Sequence, residues 1–169
     1  LQITELYYSP APEPGIDEEE FEFLELRNTG VTTLSLSGYH FTNGSTFTFP
    51  PGTQLASGAT IVLVRNPVAF TNRFPGAPWL GDYRGRLDNS GETLTLCDAA
   101  DEPVVSFTYG VAWPWPLPHG TNSIQRLNMA AQPDAPAGWV AFRPTPGTGL
   151  PTDWADAEGD ALNRTYTPF

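Results

Sequence analysis

The chain of 169 residues sets 19 acidic side chains against 8 basic ones, every one an arginine, and carries a net charge of −11. A field of that sign repels phosphate backbones and anionic membrane surfaces, which excludes nucleic acid as a partner, and no apolar run is long enough for membrane insertion as a helix. With 40% hydrophobic residues the chain can bury the core of one domain, and 16 Gly and 18 Pro without a period favour short strands and turns over long helices.

The opening LQITELYY (1–8) alternates and is rich in β-formers, which predicts a first strand. SPAPEPG (9–15) is broken by proline and reads as a loop. EEEFEFLELRNTG (18–30) predicts a second strand, and LSGYHFTNG and STFTFPPGT two more, with Asn43-Gly44 turning between them. SGATIVLVR (57–65) is a near-continuous apolar run of strand length, the pattern of burial on both faces. One short helix is predicted in NPVAFTNRF, with Asn66 as N-cap and Pro67 at the first helical position. TLTLC and PVVSFTYG form a hairpin across DAADE, VAWPWPLPHG is a Trp- and Pro-rich loop, and SIQRL and WVAF close the domain as short strands. Roughly eight short strands with turn signals between them predict an all-β sandwich of antiparallel sheets. Cys97 is the only cysteine, so no internal disulfide forms and the thiol reads as a small hydrophobe within a strand. With Leu1 rather than Met as its first residue, the chain is expected to be a mature or excised piece of a larger protein.

The acidic second strand raises the question of paired catalytic carboxylates. Successive strand side chains point to opposite faces, so Glu22 and Glu25 diverge, with Leu24 and Leu26 on one face and Phe21, Phe23 and Glu25 on the other. A glycosidase pair needs two carboxyls converging across about 5–9 Å. In the alternative register, a β-bulge near Leu24 brings the two glutamates together but leaves them exposed, without the low dielectric that tunes a general acid. Both registers favour a structural strand.

FEFLELRNTG, LSLSGYHF and FTFPPGTQLASGATIVLVRN, followed by GRLDNSGETLTLCDAADEPVVSFTYG with its Leu-x-Asn-x-Gly-Glu turn, then NSIQR and GWVAFRPTPGT, together resemble the lamin tail domain in its bacterial form. The resemblance runs from residue 1 to about 148. It implies an immunoglobulin-like β-sandwich with one short helix, an accessory module of a larger secreted or surface protein, and no catalytic residues. Some eukaryotic relatives contact chromatin, a property that the acid excess and missing lysine set against this chain. Domain limits of 1–149 follow, with 150–169 as an acidic extension or linker. Glu25, Asn28, Gly38, Gly91 and Arg126 are structural positions on this reading. Gly38, Gly52 and Gly91 sit at turns where positive φ favours glycine. Glu25 and Arg126, charged within apolar strand patterns, are expected to pair across the sheet.

Four constellations bear on chemistry. Ser123 follows His119 by four residues, but no Gly-x-Ser-x-Gly elbow accompanies them, and His40 sits within a strand as a satisfied histidine. Asp156, Glu158 and Asp160 in DAEGD resemble a fragment of an acidic calcium loop, calcium being the one cofactor considered; a solvated acidic linker is the favoured alternative. Trp113 and Trp115, stiffened by prolines, and Trp79 in a second Pro/Gly-rich loop suit a protein hot spot or stacking on sugar rings. With His119 these form the candidate binding surface. The sequence therefore reads as a non-catalytic interaction module, extracellular or on the cell surface, whose partner is a protein. The alternative is a secreted carbohydrate-binding module that takes polysaccharide through its Trp loops with calcium as a structural ion.

Overall fold

A computed structural model describes residues 1–118 and 120–149. The strands in chain order are β1 Gln2–Tyr7, β2 Phe23–Arg27, β3 Leu34–Ser35, β4 His40–Asn43, β5 Ser45–Thr46, β6 Gln54–Leu55 and β7 Thr60–Val64. The helix α1, Pro67–Arg73, separates these from β8 Gly81–Asp82, β9 Arg84–Gly85, β10 Glu92–Cys97, β11 Pro103–Tyr109, β12 Ser123–Arg126 and β13 Trp139–Phe142.

Two sheets carry the fold, one of six strands in the order β13-β12-β1-β2-β7-β8 and one of three in the order β11-β10-β4; β3-β6 and β5-β9 are short two-stranded ribbons. Alternation along each strand decides what lies between the sheets. Ile3, Leu6, Leu24, Leu26, Ile61, Leu63 and Ile124 of the large sheet share one buried cluster with Phe41, Leu94, Leu96, Val105 and Phe107 of the small one. This is the expected all-β, immunoglobulin-like sandwich with one short helix. The predicted hairpin is seen as β10 and β11, and the two closing strands are β12 and β13. One pairing departs from the antiparallel rule: β8 lies parallel to β7, with Leu63 opposite Gly81.

The outer face of the large sheet is also covered, which is why β7 reads as apolar throughout. Tyr7, Phe23, Val62 and Val64 pack under Phe70 of α1, with Phe74 at the margin. The helix starts as its sequence dictates, the Asn66 side chain accepting from the backbone of Val68 at 2.9 Å and Ala69 at 3.2 Å. Arg73 anchors its far end, lying 3.3 Å over the Phe21 ring and 2.8 Å from Glu13.

The predicted strand over 18–30 is shorter than its pattern. Glu18–Phe21 is a turn of 3₁₀ helix and the strand begins at Phe23. The turn sends three consecutive glutamates outward while Phe21 drops into the interior, which strand alternation cannot do. Turns elsewhere follow their residue chemistry. At Gly91, φ is +89° and a Cβ would stand 2.7 Å from the Tyr109 carbonyl oxygen. In the same turn Glu92 accepts from the Asp88 N–H at 2.8 Å and the Tyr109 hydroxyl at 3.0 Å. Gly38, at φ +77°, turns the chain into β4. Asn28, fully buried, donates to the carbonyls of Thr32 at 2.7 Å and Leu55 at 2.9 Å and accepts from the Gly30 N–H at 3.0 Å, tying down the bend after β2.

Candidate functional site

Residues 110–122 carry the chain from β11 in one sheet to β12 in the other, and they hold two of the three candidate indoles. Trp115 turns inward. Its ring meets Phe107 at 6.0 Å and Trp139 at 6.2 Å, closing the end of the core. Gly110 is needed beneath it, because a Cβ there would come within 2.6 Å of the indole. Trp113, two residues earlier, is 70% exposed. Trp79 is 41% exposed and precedes β8, at the edge of the large sheet opposite β13. The three indoles do not share one environment: Trp115 fills the end of the core, whereas Trp113 and Trp79 are exposed on separate loops. His119 lies outside the described residues, as do Asp156, Glu158 and Asp160.

A cleft of about 200 Å³ opens beside β1, β11 and β12, lined by Leu1, Ile3, Val104, Phe107, Arg126 and Pro133 among others. The expected pairing of Glu25 with Arg126 is not made. Arg126 directs its terminal nitrogens to the backbone carbonyls of Asn128 at 3.1 Å, Ala131 at 2.8 Å and Gln132 at 3.4 Å, and lies 5.3 Å over the Trp139 ring. The two residues occupy opposite faces of the sheet: the register sets Arg126 opposite Trp139 of the inner core, whereas Glu25 stands across from Glu5. Burial lowers the Arg126 pKa.

Among the described residues three carboxylates are buried: Glu5, Glu22 and Glu25. Glu22 and Glu25 diverge as alternation requires, but neither is exposed, at 1% and 0% respectively, so the bulged register with two solvated acids does not occur. Glu22 accepts from the Leu87 N–H at 2.8 Å and the Tyr83 hydroxyl at 3.1 Å, and burial pushes its pKa up to about 8. Glu25 accepts from the Thr4 hydroxyl at 2.6 Å and the Gly147 N–H at 2.8 Å, and burial raises its pKa too. Glu5, opposite Glu25 across the β1–β2 pair, accepts from Ser123, Gln125 and Thr145. Sequence reasoning missed Glu5. Alternation could not mark it, because a β-bulge between Ile3 and Glu5 turns Ile3 to the core and sets Glu5 on the outer face with Tyr7.

The described members of the two histidine motifs are otherwise engaged. Ser123 is fully buried, its hydroxyl 2.6 Å from Glu5, and His40 is engaged by the Gly38 carbonyl at 3.1 Å and by Asp101 at 3.1 Å. Among the described residues no group of three His, Cys, Asp or Glu side chains is placed to hold a metal ion, and no helix is long and apolar enough to cross a membrane.

The family model described as Lamin Tail Domain matches residues 1–111. Comparison with curated proteins and with solved structures gave no match. Residues 112–149 lie beyond the matched segment yet supply β12 and β13, which extend the large sheet outward from β1. The chain belongs to the lamin tail domain family, immunoglobulin-like modules that mediate protein interaction and are not catalysts in their own right.

Proposed function

We propose that this lamin tail domain is a non-catalytic recognition module of a larger bacterial protein, working outside the cell or at its surface, and that it binds a protein partner through the loop that presents Trp113. The observation that carries this reading is an indole 70% exposed on a loop whose next aromatic residue, Trp115, is fixed between Phe107 and Trp139. A side chain with only two rotatable bonds, on a pinned base, loses little conformational entropy on binding. Indoles of that kind dominate protein hot spots, where truncation costs about 2 kcal/mol or more, roughly 30-fold in affinity.

Polysaccharide binding is the second reading, favoured by the same exposed ring, since one indole can stack on a sugar. The inward turn of Trp115 counts against it. In this reading Asp156, Glu158 and Asp160 supply a structural calcium loop.

A photo-crosslinking residue at position 113, and at position 68 as an equally exposed control on α1, separates the readings when the full-length parent is irradiated in its native host. A protein adduct specific to position 113, with affinity for the isolated partner lost in Trp113→Ala, is the expected result. Equal adducts at both positions would overturn it. A saturable change in Trp fluorescence with polysaccharide, abolished by Trp113→Ala, would replace protein with sugar, and sensitivity to EDTA would implicate the acidic extension.

A further inference from the structure

Residues 143–149 cross the outer face of the large sheet as a strap, and the contacts beneath it can be resolved proton by proton. The Gln125 Nε2 stands 2.8 Å from the Arg143 carbonyl oxygen. A carbonyl only accepts, so this contact fixes the orientation of the amide, and Gln125 Oε1 must be the atom 3.0 Å from the Thr145 hydroxyl. An amide oxygen also only accepts. Thr145 Oγ1 is also 3.3 Å from Glu5 Oε2. One hydroxyl proton cannot serve both acceptors. When it goes to Gln125, the nearer of the two, Thr145 can only accept from Glu5, and that contact then needs a proton on Glu5 Oε2.

We infer that residues 143–149 form a latch closed by a proton on Glu5 Oε2. With that proton in place the network is complete. Glu5 donates to Thr145, Thr145 donates to Gln125, and Glu5 Oε1 accepts from the Ser123 hydroxyl at 2.6 Å and the Thr145 N–H at 3.0 Å. When the proton leaves, the Thr145 hydroxyl must turn to the carboxylate, and Gln125 Oε1 loses its donor inside the protein. A buried charge appears as well, and the donors on Oε1, which include Gln125 Nε2 at 3.2 Å, offset its burial only in part. On β2, Glu25 opposes it, while Arg27 acts favourably on Glu25. On β1, Tyr7 is directed to the Gly120 carbonyl at 3.0 Å. Ser123 and Gln125 on β12 and Thr60 and Val62 on β7 are neutral, and Arg143 on the strap lies 5.6 Å over the Phe142 ring. Burial pushes the Glu5 pKa up to about 8, in keeping with this placement of the protons. The strap's second clasp, Gly147 N–H to Glu25 at 2.8 Å, is one residue beyond Pro146 and loosens with the first. The latch is independent of the Trp113 surface.

Carbon-13 NMR titration of the Glu5 carboxyl tests this directly in the wild-type chain, alongside amide hydrogen exchange corrected for the intrinsic rate. The expected midpoint is near pH 8. Protection of the Thr145 and Gly147 amides should fall by about tenfold per pH unit above it, while protection of Leu63 in the core holds steady. In Glu5→Gln the two strap amides should lose this dependence. A Glu5 midpoint in the ordinary carboxylate range would overturn the latch, and the wild-type titration decides the matter even if the variant does not fold. Strap protection with the same pH dependence in wild type and Glu5→Gln would overturn it equally.

Discussion

Glu22→Gln should remove about 1.4 kcal/mol per pH unit from the pH dependence of folding stability. Glu22 and Glu5 each keep a proton to about pH 8 in the folded chain and release it near 4.5 when unfolded. Between those values the unfolded state binds fewer protons than the folded one, so stability is greatest below 4.5 and falls as pH rises towards 8. Each group contributes a slope of about 1.4 kcal/mol per pH unit, so the full interval amounts to roughly 5 kcal/mol per carboxyl. That is comparable to the whole stability of a domain, about 5–15 kcal/mol. In the variant the amide oxygen can still accept from Leu87 and Tyr83, the two donors that hold Glu22 Oε2. Near pH 5 little should change, and near pH 8 the variant should be several kcal/mol more stable. Urea unfolding at unit intervals from pH 5 to 8 gives the slope: at least about 2.7 kcal/mol per unit for wild type, since Glu25 adds to it, and about 1.4 kcal/mol per unit less for Glu22→Gln. Wild-type stability that is flat or rising over this interval would refute the reasoning.

Two further perturbations test the frame. Gly91→Ala should destabilise by well over 1 kcal/mol in thermal unfolding, because its positive φ is joined by a backbone oxygen at 2.7 Å, whereas Gly58→Ala, with positive φ but nothing within 4 Å, should cost only about 1 kcal/mol. A chain ending at residue 111, the limit of the family match, should fail to give a cooperative transition or dispersed amide spectrum. It lacks β12, and with it the partner of β1, as well as Trp139, which stacks on Phe107 at 4.7 Å.

The parts of the fold legible in sequence were those set by local periodicity. The apolar run of β7, the Asn66-Pro67 helix start and the β10–β11 hairpin each carry their cause within about ten residues. What stayed hidden depends on distant contacts. Glu5 looks like any polar strand residue until Thr145, 140 positions later, is laid on it. Trp113 and Trp115 sit in the same proline-rich stretch, and only the cross-sheet rings of Phe107 and Trp139 decide which one turns inward. Arg126 and Glu25 invited pairing by charge, but register put them on opposite faces. Strands of two residues such as β8 fall below any pattern length, so its parallel pairing could not be read.

The position of β1 within the large sheet has a consequence for biosynthesis. Its two neighbours are β2, which follows within a few turns of chain, and β12, whose Gln125 lies 120 residues after Glu5. At about 5–20 residues per second, the ribosome takes roughly 6–24 seconds to deliver that second neighbour. Throughout that interval the first strand made presents an unpaired edge to whatever is nearby. On a polysome, the nearest matching strand belongs to the nascent chain ahead, so exchange of β12 between copies competes with correct closure until the chain's own β12 arrives.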